Sequence, residues 1–207
     1  MKYLKITLYV LLLALVSEGA KAQSTTDPDS VCAGAMGKSY KVLGTPGSTY
    51  QWVVRGGTKV TGGTSDSITI NWSSTPGIDT LKVVEFNVIG CPGDTIRLAV
   101  VRLVPPTVAI SGTDSICLNS ATIANKLKFT FTGLAPWTVS YTEDGAARTL
   151  TTSSTVHSFN SQVYTASGVK NYQVTALQDR MGCTGTYSGG AAVTVFPKPN
   201  TSLIRHY

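Results

Sequence analysis

The chain has two histidines, His157 and His206, so it is poor in groups that titrate near neutral pH and could serve acid–base catalysis. His157 reads as an ordinary strand or surface residue, and His206 as part of a free terminus. Gly-x-Ser-x-Gly, His-Glu-x-x-His, phosphate-loop and dinucleotide signatures are all missing. Acidic residues number only 11 and are scattered. A calcium site, which wants six or more oxygens, is therefore not expected even at Asp27 and Asp29. The adjacent pair Glu143-Asp144 reads as a turn, because Asp144-Gly145 is a hairpin signal. We expect no enzyme activity, no metal and no cofactor.

Two further absences narrow the partners. The basic residues form no block, which argues against a nucleic-acid footprint. Beyond one early segment there is no long apolar run, so no membrane anchor is expected. That segment reads as an export signal: Lys2 and Lys5 precede an apolar run of 11 residues, Ile6 to Val16. A spanning helix needs about 20. Ala20-Lys21-Ala22 fits a cleavage site, which places the mature start at Gln23 and the signal at residues 1–22. No cysteine follows that site, which argues against a lipoprotein. Cleavage removes three lysines and Glu18, lowering the formal charge of +6 by two.

What remains is a repeat. Asp29-Ser30-Val31-Cys32 returns as Asp114-Ser115-Ile116-Cys117. Trp52 and Trp137 each follow the nearer of these cysteines by 20 residues. Gly90-Cys91-Pro92-Gly93 returns as Gly182-Cys183-Thr184-Gly185, and Ala99 to Pro105 returns as Ala191 to Pro197. The landmarks recur in one order, so one module is used twice. The reading divides the chain into a first domain at 23–104, a Pro105-Pro106 linker, a second domain at 107–196 and a tail at 197–207. Four cysteines in an exported chain imply disulfides. A duplicated module should carry its bridges inside each copy, which pairs Cys32 with Cys91 and Cys117 with Cys183. Loops of roughly 60 residues closed this way are worth about 4 kcal/mol each in the chain-entropy model.

Within each copy the segments read as strands. Ser67 to Trp72 and Lys126 to Thr132 alternate polar and apolar. Tyr50 to Val54, Asp79 to Val88, Asp94 to Val104, Trp137 to Thr142 and Asn171 to Leu177 are rich in β-branched and aromatic residues. Gly/Pro turns separate them, and no helical period is present. The expected fold is all-β: two tandem immunoglobulin-like antiparallel β-sandwiches. Trp52, Trp72 and Trp137 are expected in the cores; exposed, they would instead form a glycan-stacking platform.

The Tyr50 to Val54 strand, Ile68-Thr69-Ile70-Asn71-Trp72, Ala135-Pro136-Trp137 and the two Gly-Cys-x-Gly hairpins resemble the PKD-like and Ig-like repeats of surface and secreted proteins of Bacteroidota. That resemblance implies large adhesins, or proteins handled by the gliding and type IX secretion machinery. Family members are often long arrays, and a type IX sorting domain is not evident after the second repeat. Both the cell surface and a periplasmic, outer-membrane-associated location follow as expectations.

Asp followed by Ser or Thr and an aliphatic residue occurs at five of the eight Asp residues after position 22. This resembles the O-glycosylation acceptor motif of exported Bacteroidota proteins, with Ser30, Ser67, Thr80, Thr95 and Ser115 as the acceptors it implies. Turn chemistry alone also produces the pattern. In the tail, Leu203, Ile204 and Tyr207 could anchor an extended peptide on a partner's sheet edge. The leading function is a structural or adhesive interaction protein whose partner is a cell-envelope or surface protein. The alternative is a carbohydrate-binding module with a glycan partner.

Overall fold

A computed structural model describes residues 28–122 and 126–206. The expected signal at 1–22, Asp27 and Tyr207 lie outside the described residues. Every regular element described is a strand.

The first sandwich is built from β1 (Asp29–Cys32), β2 (Lys38–Lys41), β3 (Thr49–Val53), β4 (Gly57–Thr61), β5 (Ser67–Trp72), β6 (Gly77–Phe86) and β7 (Ile96–Leu103). One sheet runs β1-β7-β6-β3 and the other β2-β5-β4. Strict alternation in β5 buries Ile68, Ile70 and Trp72 and turns Ser67, Thr69 and Asn71 outward. They meet Tyr50, Trp52, Leu81, Val83 and Val100 from the facing sheet in one core. Near the lower edge of that core Arg102 is buried against Asp79 and also donates to the Thr75 carbonyl. A buried guanidinium needs such partners, because its desolvation would otherwise cost several kcal/mol, to order of magnitude ~5.

The second sandwich comprises β8 (Thr107–Ser111), β9 (Thr113–Cys117), β10 (Leu127–Thr132), β11 (Trp137–Glu143), β12 (Ala146–Thr152), β13 (Val156–Phe159), β14 (Gly168–Gln178), β15 (Thr186–Gly189) and β16 (Ala191–Phe196). Its sheets run β12-β11-β14-β16-β9 and β13-β10-β8-β15. The order β9-β16-β14-β11 repeats β1-β7-β6-β3, so the duplicated landmarks occupy the same places in both sandwiches. Trp137 fills the second core, stacked on Phe131 at 5.2 Å between ring centroids.

The sandwiches are antiparallel apart from three pairs, of which β15 with β8 occurs in the second sandwich alone. β1 runs parallel to β7, and β9 runs parallel to β16. β8 and β9 are one chain segment that crosses between sheets at Gly112. Its φ is 122°, and a Cβ there would lie 2.0 Å from the Lys126 carbonyl oxygen, so only glycine fits the crossing. Parallel pairing places Cys32 opposite Leu103 and Cys117 opposite Phe196. Each domain's first cysteine therefore sits at the pole where the last strand ends.

Candidate functional site: the cysteine-bearing poles

Each sandwich carries the same turn at its exit pole. After Cys32, Ala33 N–H donates to the Leu103 carbonyl and Ala35 N–H donates to the Cys32 carbonyl. After Cys117, Leu118 N–H donates to Phe196 and Ser120 N–H donates to Cys117. The left-handed position between them is Gly34 in one copy (φ 81°) and Asn119 in the other (φ 64°). Glycine and asparagine are the residues that adopt this conformation at least cost.

The opposite pole carries a hairpin, again in two copies. Asn87 accepts from the backbone N–H groups of Ile89 and Cys91 through its side-chain oxygen. Asp179 accepts from Met181 and Cys183 in the same way. Asn87 N–H donates to the Cys91 carbonyl and Asp179 N–H donates to the Cys183 carbonyl, both at 3.1 Å. An Asx side chain capping its own loop fixes the cysteine at the tip. In Asp179 the second carboxylate oxygen is buried without a hydrogen-bond partner.

The bridge joins unlike poles. Cys32 of the first sandwich is bonded to Cys183 of the second, with Cα atoms 5.4 Å apart and a sequence separation of 151. Cys91 and Cys117 are free thiols, and both are exposed. The expected pairs Cys32–Cys91 and Cys117–Cys183 are therefore corrected. The reason is strand length. Cys32 lies at the end of β7 and Cys91 lies before its start, and the eight residues of β7 separate them. Eight residues of strand span about 26 Å, whereas bridged Cα atoms sit within about 7 Å. The same holds across β15 and β16 for Cys117 and Cys183. The second domain's hairpin instead meets the first domain's exit turn beside the linker. There Thr186 N–H donates to the Pro106 carbonyl, and Pro106 itself is buried.

The other candidate residues fall as follows. Trp52, Trp72 and Trp137 are all buried, and each indole N–H has a partner: the Ser65 carbonyl, the Tyr40 hydroxyl and the Thr132 carbonyl respectively. A stacking platform on these residues is ruled out, because their ring faces are occupied by the cores. His157 is half-buried on β13, and His206 is exposed in the tail. Asp29 accepts from Ser30 N–H and from the Tyr40 hydroxyl. No group of three or more His, Cys, Asp or Glu among the described residues is placed to hold a metal ion.

Asp144 and Gly145 form the β11–β12 turn, with φ of 51° and 84°, but their neighbour is not a surface residue. Glu143 is buried and accepts from the Tyr172 hydroxyl, the Tyr164 hydroxyl, the Gln162 N–H and Arg148 Nε. Burial first, and then this hydrogen-bonded cluster, push the Tyr172 phenol far up; burial lifts Tyr164 to about 12. Three donors converge on Oε1 and Arg148 holds Oε2, so the cluster locks β11, β14 and the 160–164 loop together. Sequence reasoning missed it because the aromatic and acidic partners are far apart along the chain.

Of the acceptor-motif residues, Ser30, Thr95 and Ser115 are exposed, and Ser67 and Thr80 are half-buried within strands. Asp29 and Asp114 each accept from the N–H of the serine that follows, at 2.9 Å, which is the turn chemistry that the pattern also fits. In the tail, Leu203 and Ile204 are fully exposed. No helix among the described residues is long and apolar enough to cross a membrane.

Residues 18–100 match the PKD-like domain family. The matched stretch spans the first sandwich up to Val100 and thus holds one turn and one hairpin of the four pole elements. No curated protein matches the chain. Among solved structures, fibronectin(III)-like modules of CbhA from Clostridium thermocellum are 14% identical, with 91% of this chain and 98% of that chain covered and a TM-score of 0.37. A three-domain titin immunoglobulin structure is 14% identical, covering 82% and 63%, with a TM-score of 0.47. The four N-terminal immunoglobulin domains of Dscam1 are 17% identical with a TM-score of 0.30; they cover 89% of this chain, which spans 46% of that fragment.

Proposed function

We propose that this chain is an exported, non-catalytic structural or adhesive interaction protein of a bacterial cell envelope or surface, built as a stiffened pair of PKD-like modules at 23–104 and 107–196. The observation that carries the reading is the Cys32–Cys183 bridge across the junction. A disulfide of this kind persists in an oxidising compartment and not in a reducing cytosol. It also fixes two sandwiches relative to each other, which serves presentation and spacing rather than turnover. The buried carboxylate Glu143 and the half-buried Asp79 are consumed by structural partners. One surface groove, about 330 Å³, is lined by Thr113, Asp114, Ser115, Ala192 and Thr194 and holds no nucleophile–base pair. The resemblance to repeats of proteins handled by the gliding and type IX secretion machinery supports an accessory role in such an assembly.

Fractionation of the native host, surface proteolysis and intact-mass measurement test this reading together. The expected protein is in the envelope or medium, begins at Gln23 and keeps a Cys32–Cys183 peptide link when digested without reductant. Added hexose mass at Ser30, Thr95 or Ser115 is expected if the acceptor motif is used. A cytosolic protein that retains residues 1–22 and alkylates at all four cysteines would overturn the proposal.

A further inference from the structure

The bridged junction leaves each end of the molecule with half of another one. Cys117 sits on the exit turn of the second sandwich, in the hydrogen-bonded setting that holds Cys32 on the first. Cys91 sits on the entry hairpin of the first sandwich, capped by Asn87 as Asp179 caps Cys183. Within the chain, an exit-turn cysteine is bonded to an entry-hairpin cysteine. The remaining exit-turn cysteine and the remaining entry-hairpin cysteine are at opposite poles of the molecule, so they cannot reach each other within one chain.

We propose that copies of this chain join head to tail through a Cys117–Cys91 disulfide, repeating between molecules the junction that Cys32–Cys183 makes within one. This rests on the proposed oxidising location and names a second copy of the chain as the partner. Burial supports it. Cys183, inside the formed junction, is 1% exposed, whereas its counterpart Cys91 is exposed. Beside Cys91 the hairpin holds out Val88 at 74% and Ile89 at 79% exposure, and beside Cys117 the end of β16 holds out Phe196 at 54%. Apolar surface thus flanks both open half-bridges. The two surfaces are unlike, so the contact is heterologous and propagates as an open row rather than closing on a twofold axis.

The chemistry needs a disulfide oxidant, such as oxidised glutathione or a disulfide-exchange protein. The Cys91 thiolate attacks one sulfur of that disulfide, and the other sulfur leaves as a thiolate. The Cys117 thiolate of a second copy then attacks the Cys91 sulfur and displaces the remaining thiol. Two protein thiols lose two protons and two electrons in total, and the oxidant leaves as two thiols.

The chain from Gln23, with Cys32–Cys183 confirmed by peptide mapping, is incubated with a glutathione redox buffer and run without reductant. The expected result is a ladder of multiples of the monomer that dithiothreitol collapses, with Cys117 peptides linked to Cys91 peptides. Cys91→Ser and Cys117→Ser each stay monomeric alone, and an equimolar mixture of the two stops at dimer. Monomer that carries glutathione at both thiols would overturn the proposal. So would either single variant forming as much dimer as the mixture, because that means symmetric cross-links. These outcomes are read on purified protein, so a failure here leaves the localisation result of the previous experiment untouched.

Discussion

The hairpin at Asn87–Gly93 and the hairpin at Asp179–Gly185 have the same backbone hydrogen bonds and the same Asx cap, yet one buries its cysteine in a bridge and the other holds it in solvent. Local sequence does not decide that difference; place in the row does. Among the described residues the second hairpin meets the exit turn of the first sandwich, and the first hairpin meets no such turn. The same contrast runs through the cores. The first sandwich buries an arginine–aspartate pair, with its larger sheet four strands wide. Among the described residues the second has nine strands (β8 to β16) where the first has seven (β1 to β7), fills its centre with stacked aromatics and buries a carboxylate under two tyrosines.

The largest expected effect breaks the comparison at the equivalent tryptophans. Trp137→Ala should cost about 4 kcal/mol, within the range for emptying a tryptophan site. Trp52→Ala should cost less, because Trp52 is 8% exposed against 2% for Trp137. Guanidinium unfolding of the two variants checks the order, and a greater loss for Trp52→Ala would refute the claim that the second core is the tighter one.

A smaller effect separates the sandwiches at alkaline pH. Burial raises the phenols of Tyr141, Tyr164 and Tyr172 in the second sandwich, and burial with an Asp29 hydrogen bond raises Tyr40 in the first. Unfolded tyrosine releases its proton near pH 10, to about half a unit, while these folded phenols keep theirs to higher pH. Their stabilisation is fully present below that pH. It is lost as pH rises from there through about 12, where Tyr164 titrates. Urea unfolding between neutral and alkaline pH, with Cys91 and Cys117 alkylated, should show this decline. Tyr164→Phe with Tyr172→Phe should flatten the slope more than Tyr40→Phe does; equal slopes would contradict the asymmetry.

The smallest effect tests the identity of the exit turns. Asn119→Gly imports the first sandwich's solution at a left-handed position and should change stability by no more than about 0.5 kcal/mol. A loss several times larger in thermal melting would mean that the turns are not interchangeable.

Much of the fold was legible because burial is written as alternation. Ser67 to Trp72 is β5 as expected, and Trp137 to Thr142 differs from β11 by one residue. β12 went unread because its residues are mostly exposed along an edge, so Ala146 to Thr152 carries no apolar period. The repeat located all four cysteines but misassigned their partners. The assumption was that a repeated unit closes on itself. The corrective signal was present in the position of Cys32 at the C-terminal end of Asp29-Ser30-Val31-Cys32. A segment that pairs parallel to the last strand must finish beside the linker, next to the following module. Nothing in alternation alone distinguishes parallel from antiparallel pairing, so the register had to come from the structure. The Glu143 cluster was hidden for a related reason: its members are 29 residues apart between Glu143 and Tyr172 and meet only after the strands pair.

The parallel pairing and the bridge together define how the molecule carries load. A pull applied between residue 28 and residue 206 enters at β1, passes through the Cys32–Cys183 sulfurs and leaves through β15 and β16. The stretch between the bridged cysteines, which are separated by 151 positions, bears none of that tension along its backbone. About 500 Å of extensible contour is thereby held out of reach until the sulfur–sulfur bond is reduced, so the redox state sets the tether's length.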